Sequence, residues 1–578
     1  MNIGLTALTE FWGDSHDLIL TGEWCKNNNI NIQSSSRNIT IHPYPWGNRS
    51  KLFSSYLYTN LVYKTFLPII ADTLNTYHSE KNSTHYWEII IGPWLKYFIQ
   101  TLFDKYTVIK EISDGYDNLE CLVVEDRKFI PSDFDDYFEN STSSHYYNQL
   151  IFSQILQKLD TSIKIKSKKI LNQNFDIEKK HLTTNKKNRA VNYFLSSFNI
   201  LGSKKTLIHK SGYNVVEELM LALSYKTLPR YFIKFRADTK VDIDSSFRRD
   251  LHIKETRDEF IMLLSNLVFR NMPSSYIESY GDTLSYLKKN LNSIPRAIIT
   301  SNTLISDEYM KVLTAYCTER GSKLVIHQHG GHYGAGRFYT LEDHEVSISD
   351  LFLSWGWSDR LRPNIKPFYC TKNYSLGECN LNSKKILVIA ASSHLYTKYF
   401  YSAPLSSQAI ESSNNLIKAL EHLPTKLRER VVYRVKNEHG WGLSNNLISK
   451  YKEVNIEDSS VDYFNSLSSS SLVISTYNAT TFLESFIMGI PTLLFWDSNH
   501  QEIRDDAVQY YQELERVGIL HHDPMILAKK INEISVDTFS WWRQEEVVNA
   551  ITFFCNYFVK QTSNFKVEHK KVTIDLFN

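Results

Sequence analysis

Residues 323–338 read KLVIHQHGGHYGAGRF, which places four of the chain's 20 glycines, three histidines and an arginine just past one apolar run. Histidine titrates near neutral pH, so one held where a strand gives way to a loop can take a proton from a hydroxyl. His329 occupies that place and is the candidate general base, with His332 second. Glycine lets backbone come close to a sugar or a phosphate, which makes Gly330 and Gly331 candidate contacts. Arg337 can bind a carboxylate or phosphate through its planar fork. The H-x-H-x-x-H spacing of His327, His329 and His332 also admits zinc, and with it a zinc-dependent hydrolase. The glycine spacing matches neither a dinucleotide fingerprint nor a P-loop.

A second stretch, STYNATTFLESFIMGIPTLLFWD (residues 475–497), reads as strand, turn, helix and strand. Ser475, Thr476, Asn478, Thr480 and Thr481 gather where a helix starts, and unpaired N–H groups at a helix start attract an anion such as a phosphate. Glu484 follows one turn later, on a face that reaches the same ligand, where a carboxylate can accept bonds from two ribose hydroxyls. A capped helix with Glu484 offsetting its dipole is the structural alternative.

These residues are carried by a regular alternation. RAIITS, KLVIHQ and DLFLSWG read as buried strands, with SDEYMKVLTAYCTERG as a helix stopped by Gly321. After a polar stretch, PNIKPFYCTKNYSLGECNLN, read as an interdomain linker, the alternation resumes. KKILVIAASS, RVVYRVK, SLVISTY and IPTLLFWD are strands, with helical segments between them. Such a series implies a doubly wound parallel sheet, with ligands at the carboxyl ends of its strands. Two series imply two Rossmann-like domains facing across a cleft, with helical additions. The first domain is expected over residues 1–375, the second over 376–545, and a helical segment packing back over 546–578.

Near the amino terminus, DLILTGEWC puts Glu23 and Trp24 at a strand end, where Trp24 could stack on a sugar. YWEIIIGPWLKYFIQTLF is expected to be a buried strand followed by an amphipathic helix, too short and too charged to span a membrane. A Lys/Asn-rich excursion covers residues 160–192, a solvated loop whose charge could touch anionic lipid.

At 578 residues the chain exceeds one ordinary core, since single cores rarely grow beyond about 250–300 residues. Its 65 basic and 63 acidic residues set up no global field for nucleic acid, so an anionic ligand needs a local site. The six scattered cysteines form no CxxC pair, which fits a reducing cytoplasm, and MNIGLTALTEFWGD lacks the pattern of a secretory signal.

The polar small residues, then Glu484, then Gly-Ile-Pro and an apolar strand resemble the nucleotide-binding signature of the GT-B glycosyltransferase C-terminal domain. Together with LTGEWC, PYPWGNRSKL, YWEIIIGPWLKYFIQTLFDKY and HQHGGHYGAG, the chain resembles a family of bacterial surface-carbohydrate transferases. The resemblance implies a cytoplasmic, metal-independent glycosyltransferase at the inner face of the inner membrane, using a nucleotide-sugar donor and a glycan or glycolipid acceptor. A CMP-linked keto sugar acid is one donor it admits, and a CDP-polyol-dependent polyol-phosphate transferase is its alternative. It implies that Thr480 and Thr481 hold phosphate, that Glu484 holds ribose, and that Ser392 and Ser393 meet the phosphate from the other side. Arg434 and Lys436 would then stabilise the leaving nucleotide. No cofactor and no resident metal are expected.

Overall fold

The computed structural model describes all residues except 27–35, 126–128, 170–205, 228–240, 250, 252–255, 373–382, 459 and 578. The chain forms two compact units, one of Met1–Ile326 with Ser347–Asp350 and the other of His327–Val346 with Leu351–Ile574.

In the first unit, strands β1 (Asn2–Gly4), β2 (Asp17–Leu20), β3 (Asn38–Ile41), β4 (Glu120–Val124) and β5 (Lys164–Lys168) form a sheet ordered β3-β2-β1-β4-β5. All its pairings are parallel. Strand β5 comes from the stretch read as an excursion: its exposed Lys-rich sequence pairs residue by residue with β4, and the rest of that stretch from residue 170 lies outside the described residues. Two long helices, Arg49–His78 and Thr84–Gly115, separate β3 from β4. The second corrects the expectation of a strand followed by a helix. Trp87, Ile89, Ile90, Ile91, Trp94 and Leu95 are all fully buried on one continuous helix. An unbroken apolar run hides helical periodicity when every face of the helix is covered. Strand β7 (Ala297–Thr300) pairs in parallel with β6 (Leu207–Ile208) and β8 (Lys323–His327), as the alternation predicts.

In the second unit, β9 (Leu351–Ser354) pairs in parallel with β10 (Ile365–Pro367). Strand β10 lies inside the segment expected to be a linker, whose residues 373–382 fall outside the described ones. The main sheet holds β11 (Ile386–Ile389), β12 (Val431–Arg434), β13 (Asn455–Ile456), β14 (Leu472–Ser475), β15 (Thr492–Phe495) and β16 (Leu520–His521). Its order is β13-β12-β11-β14-β15-β16, parallel throughout. Every residue of β11, β14 and β15 is buried, the pattern of central strands covered by helices on both faces. The chain leaves β11 toward one edge and returns at β14 toward the other, so the switch point falls between these two strands. The helix Glu545–Phe558 packs within this unit, where Phe554 meets Phe482, Phe486 and Tyr511.

The two units part at residue 326, whereas the sequence reading placed the boundary at 375. The loop after β8 explains the difference, because its backbone is stitched into the second unit. Arg337 N–H donates to the Glu502 carbonyl and Arg504 N–H to the Ala335 carbonyl, 3.0 Å each, and Ser402 N–H donates to the Phe338 carbonyl at 3.0 Å.

Candidate functional site

A cavity of about 940 Å³ opens at the carboxyl ends of β11, β12 and β14, at the switch point of the main sheet. Ser392, Ser393, Arg434, Lys436, Asn478, Thr480, Thr481, Glu484 and His332 all line it. Residues from three strand ends and one distant loop thus share one wall.

The helix Thr480–Ile487 begins at Ala479, whose side chain caps nothing. Its first N–H groups are therefore left without a side-chain cap, as an anion site requires. Just before it, Asn478 accepts from the Tyr511 hydroxyl at 2.8 Å and donates its backbone N–H to Gln501 Oε1 at 2.7 Å. The amide nitrogens of Asn478 and Gln501 are buried without a protein partner, in two residues that line the cavity. Two buried donors left open cost stability unless something accepts from them.

Glu484 is 6% exposed and pairs with Lys372 at 3.0 Å. Ser392 donates its hydroxyl to the Asn437 carbonyl, and Ser393 donates to the Pro404 carbonyl at 2.9 Å. Both hydroxyl protons are therefore spent inside the protein. Arg434 turns to Glu457 at 2.6 Å and to the Val461 carbonyl at 2.9 Å, so its charge is largely matched. Lys436 is exposed at the rim. Ser475 stays within the sheet: it is fully buried and its hydroxyl donates to the Tyr477 carbonyl at 3.2 Å.

The histidines separate. His327 Nε2 meets His569 Nε2 at 2.9 Å in a fully buried pair. His329 Nε2 lies 2.9 Å from Glu345 Oε1 and 2.8 Å from the Tyr333 hydroxyl, which itself donates to Glu345 Oε2 at 2.8 Å. His332 Nδ1 lies 3.1 Å from the Asn478 carbonyl oxygen, so Nδ1 carries the proton and Nε2 is a bare acceptor without a protein partner. Burial, reinforced by Lys398, lowers the His332 pKa to about 4 despite the Asn478 bond, so the ring is neutral at pH 7. Three imidazoles with three separate partners do not converge on one ion. Among the described residues no group of three or more His, Cys, Asp or Glu is placed to hold a metal.

The glycines of the loop serve packing. A Cβ on Gly331 would sit 2.8 Å from the Ala479 carbonyl and 2.6 Å from Leu483 Cδ1, and Gly331 N–H donates to Thr480 Oγ1 at 3.0 Å. A Cβ on Gly336 would meet His332 Nε2 at 2.3 Å, and Gly334 has φ +71° against Trp357. The close approach read as one to a sugar or phosphate is, at Gly331, an approach to the helix start itself. Gly330 makes no such contact, and its nearest neighbour would be Tyr333 at 3.4 Å.

Other assignments fall elsewhere. Arg337 is exposed and anchors the loop through its backbone. In the first unit, Glu23 pairs with Lys26 at 2.6 Å, and Trp24 is 2% exposed with its Nε1–H donating to the Leu5 carbonyl at 3.2 Å. Trp24 packs in the core and offers no face to a sugar.

Sequence reasoning missed Lys372, Lys398, Gln501 and the tyrosines 339, 399 and 401 of the cavity wall. Gln501 follows the carboxyl end of β15, and Lys398 lies within TKYFYSAP beyond β11, so both stood on the ends where ligands bind. Lys372 was hidden in the supposed linker.

A doubly wound parallel sheet with a cavity at its switch point defines an α/β protein that takes its ligand at the carboxyl ends of its strands. The chain belongs to the LIC12162 family of transferases, whose family model matches residues 1–572. No curated protein matches it by sequence. Solved structures with a similar course include TarM, at 12% identity and TM-score 0.34 over 52% of this chain and 59% of TarM. HepE of Anabaena, in complex with UDP and glucose, has 12% identity and TM-score 0.35 over 65% of this chain and 99% of HepE. MurG of Acinetobacter baumannii has 12% identity and TM-score 0.27 over 61% of this chain and 99% of MurG. Likenesses at this level identify no substrate. Among the described residues no helix is long and apolar enough to cross a membrane.

Proposed function

We propose that this transferase is a metal-independent glycosyltransferase of GT-B type, moving a sugar from a nucleotide-linked donor to a glycan or glycolipid acceptor of the bacterial surface on the cytoplasmic side of the inner membrane. The observation that carries the reading is the uncapped start of helix Thr480–Ile487, beside the unpartnered Asn478 and Gln501 amides, in a cavity that Glu484 and Lys436 also line. Donor phosphate fits the helix start and the amides, and ribose fits Glu484, which pairs with Lys372 at 3.0 Å beside the cavity. The turn after β11 supports the phosphate side through its backbone, since the Ser392 and Ser393 hydroxyl protons are committed.

For proton transfer from the acceptor hydroxyl we assign His329. Glu345 accepts from Nε2–H, which leaves the lone pair on Nδ1, the base-and-orienter arrangement that activates a hydroxyl. His332, with its lowered pKa, is a poor proton acceptor and serves as a neutral hydrogen-bond acceptor on the cavity wall. Developing negative charge on the departing nucleotide is met by the helix start and by Lys436, since Arg434 is committed to Glu457.

The test is a thermal-shift screen against CMP, CDP, UDP, GDP and ADP, with and without chelator, because a ligand bound only to the folded state raises its stability. A selective, chelator-insensitive rise is expected for one base. No rise with any nucleotide, together with a large loss of stability in chelator, would overturn the reading in favour of a metal-dependent enzyme.

A further inference from the structure

The helix Val215–Ser224, VVEELMLALS, is seated in the first unit by one face. Leu221 and Ala222 are fully buried, and the buried Glu218 accepts from the Ser211 N–H at 2.6 Å and from the Ser211 hydroxyl at 2.7 Å. Asn214 caps the helix start by accepting from the Glu217 N–H at 3.0 Å. On the other side Val215, Val216, Leu219, Met220 and Leu223 are between 40% and 72% exposed. At 3.6 residues per turn these five span roughly 140° of the helix, and no polar or charged residue of the helix falls within that arc. A surface helix turns polar residues to water, whereas a contiguous apolar face is built to be covered.

Charge narrows what covers it. Lys210 and Lys226, both exposed, stand before and after the helix. In the sequence, residues 164–240 carry 17 Lys and Arg against 5 Asp and Glu in a chain of net charge +2, so the remainder is net acidic. The arc holds aliphatic side chains and Met alone, with none of the Trp, Tyr or Arg anchors that dominate affinity for a protein partner. A second copy seated on it would set the same basic stretch against itself. Hydrocarbon needs no directional partner, and basic residues beside an apolar helix face are drawn to anionic headgroups. We propose that the exposed face of Val215–Ser224 docks on an anionic lipid surface, its five apolar side chains entering the acyl boundary and Lys210 and Lys226 meeting the headgroups. This deepens the reading above that puts the acceptor at the inner membrane and rests on that part of it alone; the cavity of the second unit takes no part.

Co-sedimentation of the full chain with phosphatidylcholine vesicles, with and without about one-third phosphatidylglycerol, tests it. The proteins compared are the wild type, the double variant Leu219→Gln, Leu223→Gln, and Leu361→Gln, which alters an exposed leucine of the second unit. The wild type should bind the phosphatidylglycerol vesicles about tenfold or more tightly than the double variant, the scale of two half-exposed leucines transferred to hydrocarbon. Leu361→Gln should bind like the wild type. Because Leu219 and Leu223 face water in the unbound chain and Gln keeps helix propensity, the double variant should melt where the wild type does. Absence of wild-type binding, equal binding to both vesicle types, equal binding by wild type and double variant, or an equal loss in Leu361→Gln overturns the proposal. So does a lower melting midpoint in the double variant, which would mean that the chain's own residues cover the face, or a wild-type dimer that the double variant loses. Vesicle binding without a thermal shift from any nucleotide would keep this surface and sink the donor reading, and a nucleotide shift without vesicle binding would do the reverse.

Discussion

Gly330 and Gly331 are neighbours in sequence, and their surroundings predict opposite results on substitution. At Gly331 an added methyl meets Ala479 C and O at 2.8 Å and Leu483 Cδ1 at 2.6 Å, whereas at Gly330 the nearest atoms are the Tyr333 ring at 3.4 Å and Thr480 Oγ1 at 3.9 Å. Leu483 can rotate aside, but the Ala479 backbone begins the helix that forms the cavity wall, so relief requires either that helix or the loop to shift. The shift also threatens the 3.0 Å bond from Gly331 N–H to Thr480 Oγ1. Forcing a methyl into such a site costs about 2 kcal/mol. For a unit of this size that corresponds to a midpoint roughly 4–8 °C lower. Gly331→Ala should therefore melt lower by that amount and bind nucleotide more weakly, and Gly330→Ala should match the wild type in both. Thermal and urea denaturation of the two variants side by side, followed by nucleotide titration, provide the check. Indistinguishable midpoints for the two variants would refute the account of the glycines as packing residues.

Glu484→Ala should weaken nucleotide binding by about tenfold while leaving the fold intact, and an unchanged dissociation constant in titration would remove it from the ribose site. His329→Ala should depress turnover by about a hundredfold or more with donor affinity nearly unchanged, and Glu345→Gln should follow in the same direction; a fully active His329→Ala excludes it from the mechanism. Burial holds His332 and His521 at about 4, against an ordinary 6.5. Between those values the unfolded chain binds protons that the folded chain refuses, so this contribution to stability is complete above about 6.5 and is lost as pH falls toward 4. Urea midpoints should drop over that window, and a rise on acidification would contradict the assignment.

The sequence by itself determined the parallel architecture of the main sheet and the placement of its functional ends. ILVI, LVIS and TLLF are short runs dominated by consecutive apolar residues, which a sheet covered on both faces buries, and the segments between them are long enough for helical crossovers. Once those strands were located, their carboxyl ends picked out Ser392, Arg434, Asn478, Thr480 and Glu484, which share one cavity.

Local sequence could not decide which charges are free and which are spent. Arg434 at the end of β12 and Lys398 beyond β11 carry the same charge, yet Glu457, 23 residues away, pairs with the first, and among the described residues no carboxylate forms an ion pair with the second. The fates of the three histidines were settled in the same way, by His569, Glu345 and the Asn478 carbonyl, which lie 242, 16 and 146 residues distant. Backbone periodicity is a local property and shows in the sequence. Charge compensation and hydrogen-bond pairing depend on partners that only the folded chain brings within about 3 Å, so the chemistry of the site belongs to the tertiary structure.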